Sequence, residues 1–109
     1  MKSKIFLSEN YERKLKRLSK KYSSLNDDLA PIYEQLKETP LLGTALGNNC
    51  FKIRVKISSK GKGKSGGGRI ITYFIREQNS VYLLDIYDKS EQADISSKNL
   101  KELVQLILG

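Results

Sequence analysis

Apolar residues recur along this chain at two different periods, and the change between them divides it into a helical half and a strand half. Ile5-Phe6-Leu7 is a short apolar run that fits an edge strand. Ser8 follows as an N-cap, with Glu9 and Glu12 near the positive end of the helix it opens. Tyr11, Leu15, Leu18 and Tyr22 then fall at i, i+4, i+7 and i+11, one apolar stripe. Arg13, Lys14, Lys16, Arg17, Lys20 and Lys21 take the other faces. A second helix is predicted to begin at Asn26-Asp27-Asp28. With Asp28 as its cap, Pro31 falls at the third helical position, where a missing N–H costs no intrahelical bond. Leu29, Ile32, Tyr33 and Leu36 form its buried face, and the short link makes the pair an antiparallel helical hairpin.

Thr39-Pro40 stops the second helix, and the period falls to two. Phe51, Ile53, Val55 and Ile57 alternate with Lys52, Arg54 and Lys56, the pattern of a half-buried strand with a basic outer face. Residues 58–68 hold five glycines, three lysines and no apolar side chain, and so read as a mobile loop. Residues 70–75 form a β-branched and aromatic run, Glu77-Gln78-Asn79-Ser80 a turn, and residues 81–87 the returning strand of a hairpin. Residues 88–95 are a polar connector. Ser96 or Ser97 then caps a last helix with Leu100, Leu103, Val104 and Ile107 at i, i+3, i+4 and i+7. The order β-α-α-β-β-β-α predicts an α+β fold: an N-terminal helical hairpin on a small antiparallel sheet, a C-terminal helix, and helices packed on one face. No internal repeat is visible, and 109 residues make one domain, 1–109.

Charge changes this picture. Residues 39–76 carry eight Lys/Arg and no Asp or Glu, whereas the rest of the chain has twelve of each sign. The net charge of +8 therefore resides in one stretch. A basic block on a neutral body points to a polyanionic partner. Composition excludes other classes. There is no histidine, which removes the commonest general base, Ser-His and Cys-His dyads and most zinc sites. One cysteine, Cys50, permits no internal disulfide. The N-terminus lacks a signal-type apolar region and no apolar run reaches membrane-spanning length. The expectation is a cytoplasmic protein with no metal, no cofactor and no membrane partner.

The basic residues fall into sets. Side chains two apart on a strand share a face, so Lys52, Arg54 and Lys56 line up about 7 Å apart, near the spacing of successive phosphates. The bland reading is a polar, solvent-facing strand side on which lysine protects an edge. Arg69 opens the next strand and can reach the same face, while Tyr87 and Lys89 approach from the far strand. Such a group could cleave RNA without histidine: arginines stabilise charge growing on the phosphate, and a lysine crowded by cations, with its pKa lowered, acts as base. A tyrosine hydroxyl could assist proton transfer. Gly63-Lys64-Ser65 invites a phosphate-loop reading. That motif needs glycine where Ser58 stands, and a helix afterwards where a strand is predicted. Lys60, Lys62 and Lys64 read instead as a solvated flexible loop or an electrostatic arm for nucleic acid, with Lys56 and Arg76 adding to the same RNA-contacting set.

Three stretches carry a likeness. They are Cys50-Phe51-Lys52-Ile53-Arg54-Val55-Lys56, Gly68-Arg69-Ile70-Ile71-Thr72-Tyr73, and Leu84-Asp85-Ile86-Tyr87-Asp88-Lys89-Ser90-Glu91. In their order and spacing the chain resembles the RelE family of bacterial type II toxins, within the RelE/ParE superfamily. The long Gly/Lys loop and the Asp-Lys-Ser-Glu ending are similar to its HigB-like branch. The resemblance spans nearly the whole chain. It implies an mRNA interferase, a metal-independent endoribonuclease that enters the ribosomal A site and cuts translated mRNA, together with a cognate antitoxin that blocks it. By position it implies catalytic roles for Lys52, the preferred base, and Arg54, for Arg69 at the scissile phosphate, and for Lys89 as a further cation. Ile95 stands where relatives have a tyrosine before the last helix, so Tyr87 is the candidate replacement. Ala45-Leu46-Gly47 stands where relatives have an arginine. Two alternatives stay open: a ParE-like toxin that binds DNA gyrase without cutting RNA, and an inactive antitoxin-binding scaffold. Leu106 and Leu108, outside the last helix's stripe, are either extra core or an antitoxin-covered surface.

Overall fold

β-branched and aromatic residues build the centre of the molecule, and each helix covers it with one apolar stripe. The computed structural model describes residues 2–60 and 67–109. Its elements are β1 (Lys4–Leu7), α1 (Glu9–Lys21), α2 (Leu25–Glu38), β2 (Thr44–Gly47), β3 (Cys50–Val55), β4 (Gly68–Ile75), a 3-10 turn (Arg76–Gln78), β5 (Ser80–Asp88) and α3 (Ser97–Leu108). The strands form one sheet in the order β1-β5-β4-β3-β2. The expected α+β fold with a helical hairpin and closing helix is present, with three refinements.

The sheet is mixed, because β1 runs parallel to β5, pairing Lys4 with Ser80 through Leu7 with Leu83. It also gains a strand: β2 pairs antiparallel with β3 across a two-residue turn in which Asn48 and Asn49 both have positive φ, 53° and 62°. That handedness matches the twist of the flanking strands, and asparagine tolerates it better than most residues. The third refinement concerns the layers. α1 and α2 pack on one face through Tyr11, Leu18, Leu25, Leu29 and Leu36 against Ile53, Val55, Ile70, Phe74, Val81, Leu83 and Ile86. α3 packs on the opposite face, laying Leu100, Leu103, Val104 and Ile107 over Cys50, Ile71, Leu84 and Tyr87. The helices do not share a face because the central strands are apolar on both sides, as the adjacent Ile70 and Ile71 show.

Ser8 caps α1 as expected, accepting from the Tyr11 N–H at 3.1 Å, and Ser96 caps α3 by accepting from the Asn99 N–H at 3.1 Å. α2 begins earlier than predicted, at Leu25, so Pro31 lies inside it. Asp28 is not the cap. Its carboxylate instead accepts from the Ser58 N–H at 2.9 Å, the Ser58 hydroxyl at 2.6 Å and the Ser24 hydroxyl at 2.7 Å, tying the end of the β3 segment to the helical hairpin. The two helices are joined by the Tyr11 and Tyr33 hydroxyls, 2.7 Å apart. Leu106 and Leu108 are 74% and 59% exposed and so are not core. Among the described residues no helix is long and apolar enough to cross a membrane.

Candidate functional site

Register brings the predicted residues of three strands into line. Arg54 of β3 pairs with Arg69 of β4, and Arg69 pairs with Tyr87 of β5, so the three stand side by side across the middle of the sheet. Direct cross-strand partners have Cα atoms about 4.5–5.5 Å apart and project to one face. Lys52, two residues from Arg54, pairs with Ile71, which packs under α3; the row therefore lies on the α3 side.

The members differ in exposure. Arg54 is exposed and makes no ion pair among the described residues, so it faces solvent as an open cation. Arg69 is buried and donates through Nη1 to the Gly68 carbonyl at 3.0 Å, which fixes its guanidinium near the sheet. Tyr87 is buried in the cluster beneath α3, with its hydroxyl 3.4 Å from Asp94 Oδ1. Lys52 Nζ lies 3.1 Å from the same oxygen. Burial first, then the charge and hydrogen bond of Asp94, push the Tyr87 phenol up to about 12, while the Arg69 charge opposes them. A phenol so held keeps its proton at neutral pH.

Asp94 is the residue that sequence reasoning missed. Lys52 was expected among cations alone, yet a carboxylate stands against it. Nothing in the spacing points to this, since the two are 42 positions apart in a segment readable only as a polar connector. The structure orders that connector. Asp88 accepts from the Ser90 N–H and hydroxyl at 2.9 and 2.7 Å, Lys89 Nζ donates to the Ala93 carbonyl at 2.8 Å, and Gln92 Nε2 donates to the Asp94 carbonyl at 3.0 Å. Lys89 therefore braces the connector, and its ammonium is spent on a backbone carbonyl rather than joined to the row.

Other expectations on the basic block divide. Lys56 is exposed just beyond β3. Lys60 is a correction. Its side chain is 7% exposed and its Nζ lies 2.7 Å from Asp88 Oδ1, so it is a buried ion-pair partner and not part of a solvated arm. Asp88 also accepts from the Tyr22 hydroxyl. Burial alone would raise the Asp88 carboxyl, but the hydrogen bonds from Lys60, Tyr22 and Ser90 outweigh it and hold the group well below the usual carboxylate range. Arg76 is exposed in the 3-10 turn at the opposite end of β4 from Arg69, away from the row. Lys62 and Lys64 lie outside the described residues. β4 follows the Gly/Lys segment where a phosphate loop would have a helix. Among the described residues no cluster of three His, Cys, Asp or Glu side chains could hold a metal ion. Burial pushes the Cys50 thiol up to about 11, which leaves it a packing residue.

An α+β domain with a cationic strand row beneath its last helix is the class this fold and site define. The family model for the RelE toxin of the RelE/RelB toxin–antitoxin system matches residues 3–107, and the chain belongs to that family. Solved structures agree on the fold. The chain is similar to the free-state E. coli toxin RelE in a double arginine-to-alanine mutant, with a TM-score of 0.66 and 20% identity, covering 98% of this chain and 99% of that one. It is similar to a chain of the intact E. coli RelBE toxin–antitoxin complex, with a TM-score of 0.60 and 18% identity over 79% of this chain and 95% of that one. The RelBE2 complex from Mycobacterium tuberculosis gives 0.57 and 16%, over 81% and 99%.

Proposed function

We propose that this toxin is a ribosome-dependent endoribonuclease that cuts translated mRNA by attack of a 2′-hydroxyl on the adjacent phosphorus. The observation that carries the reading is the register row Arg54–Arg69–Tyr87 with Lys52 one step along the same face. In the reaction the 2′-oxygen bonds to phosphorus as Lys52 Nζ, released from Asp94 and in its neutral amine form, takes its proton. The bond to the 5′-oxygen breaks as the Tyr87 hydroxyl gives that oxygen a proton. The products are a 2′,3′-cyclic phosphate and a 5′-hydroxyl end. Arg69, fixed by burial, and Arg54, open to solvent, bear on the phosphate where negative charge accumulates. Exposed Lys56 adds attraction to the RNA backbone. The RelBE complexes of the two relatives support a cognate antitoxin as this toxin's partner, and a ribosomal substrate puts its action in the cytoplasm.

Mapping the 5′ ends of a reporter mRNA, with and without a working ribosome-binding site, tests this. Cuts are expected inside codons of the translated message only. Intact message accompanied by gyrase-dependent DNA breaks would establish the ParE-like alternative. Tyr87→Phe and Lys52→Met are each expected to slow cleavage about 10²–10⁴-fold. Arg69→Ala should remove activity from a protein that remains folded by circular dichroism. An unfolded Arg69→Ala would make that arginine a structural residue.

A further inference from the structure

Three donors converge on one oxygen at the centre of the site. Asp94 Oδ1 lies 3.1 Å from Lys52 Nζ, 3.4 Å from the Tyr87 hydroxyl and 2.8 Å from the Ile95 N–H. On the reading above, the first two are the groups that exchange protons with the substrate. We propose that Asp94 is a built-in stand-in for the RNA phosphate, holding Lys52 and Tyr87 at a common point until an incoming strand displaces it.

The proposal stands on four observations. A carboxylate oxygen and a phosphate oxygen are both anionic acceptors, so donors arranged for one accept the other. The acid covers the site from outside: its side chain is 60% exposed, against 25% for Lys52, and Tyr87 is buried. An ion pair so open to water is weak enough to be exchanged for a stronger one. The backbone beneath it is held independently, through Lys89 on the Ala93 carbonyl and Gln92 on the Asp94 carbonyl, so only the side chain has to turn away. Finally, Asp94 engages Lys52 and Tyr87 while Arg54, in the same register row as Tyr87, stays exposed, which leaves an entry cation to receive a phosphate before the exchange. Neutralising Asp94 therefore leaves the folded site open to anions.

Binding of a short all-deoxy single-stranded oligonucleotide, which has no 2′-hydroxyl and is not cut, separates this from the cleavage reading. Fluorescence anisotropy would compare the parent protein with Asp94→Asn and Glu77→Gln. Both variants remove one negative charge, and Glu77 lies in the 3-10 turn away from the row. In Asp94→Asn the side-chain amide oxygen can still accept from the Ile95 N–H, and Asp94→Ala serves as a second variant should folding change. Asp94→Asn is expected to bind about fivefold more tightly than Glu77→Gln, the scale of one exposed ion pair. The excess should vanish when Lys52→Met is added. Equal tightening in the two charge variants, or an excess that survives loss of Lys52, would overturn the stand-in. A parent protein that never cuts mRNA would overturn the nuclease reading and still return a clear answer here.

Discussion

Lys60 and Asp88 form a charged pair in which both side chains are nearly shut off from water. Lys60→Met removes the nearer of two ammonium groups on Asp88, leaving Lys21 Nζ at 3.6 Å and the Tyr22 and Ser90 donors, and is expected to cost about 1–3 kcal/mol in urea denaturation. The pH dependence follows from the sign of the shift. Asp88 is depressed in the folded protein, so its contribution is complete above the ordinary carboxylate pKa and is lost as pH falls below that value toward the folded one. Acid unfolding of the parent chain should therefore show a loss in that range that Lys60→Met reduces. Asp94 acts on Tyr87 in the opposite sense, holding the phenol up at about 12 together with burial. Asp94→Asn removes the charge and leaves the burial, so the Tyr87 phenolate should form at lower pH without reaching its unperturbed value. Ultraviolet titration against a Tyr87→Phe reference measures it.

Elements carry a second kind of constraint, the close approach of backbones. Gly43 leads into β2 with φ of 103°, and a Cβ there would meet the carbonyl oxygen of Lys52 at 2.5 Å. Gly43→Ala should lower thermal stability by about 1–3 kcal/mol, and cleavage should fall with it because the displaced backbone carries Lys52. Gly67 is similarly placed, with φ of 49° against the Val55 carbonyl, where the segment returns to β4. The helices and the long strands were legible in the sequence because periodicity reports which face is buried, and α1, α3, β3, β4 and β5 lie within a few residues of expectation. β2 was not, because four residues with mostly exposed side chains show little alternation, although Asn48-Asn49 is a turn signal that marks it afterwards. The row of the site was legible in part. Alternation placed Lys52, Arg54 and Lys56 on one face, but the partnership of Arg54 with Arg69 and Tyr87 is a matter of register. Lys60 misled for a physical reason: a Gly/Lys run looks solvated, and the partner that buries its first lysine lies 28 positions away on β5.

At the scale of the whole molecule the sheet is an insulating plane between two unequal packing layers. Large-to-small changes beneath the helical hairpin, such as Leu29→Ala, should cost about 2–5 kcal/mol, whereas changes at exposed Leu106 should stay within about 0.5 kcal/mol. Denaturant midpoints check both. The cationic row sits on the α3 side and the hairpin packs on the opposite face, so stability effects of mutations on the two faces should be nearly additive. The parallel pairing of β1 with β5 has a temporal consequence. Residues 4–7 find their ladder only in residues 80–83, and the cationic row gains its third member only at position 87. The strand that leaves the ribosome first among the five must wait for the one that leaves last, a long loop closure that the chain cannot make early. A nascent chain halted short of β5 is therefore unfinished as a sheet and lacks Tyr87 from the row, so the toxin's fold is completed only after its message has been translated past all five strands.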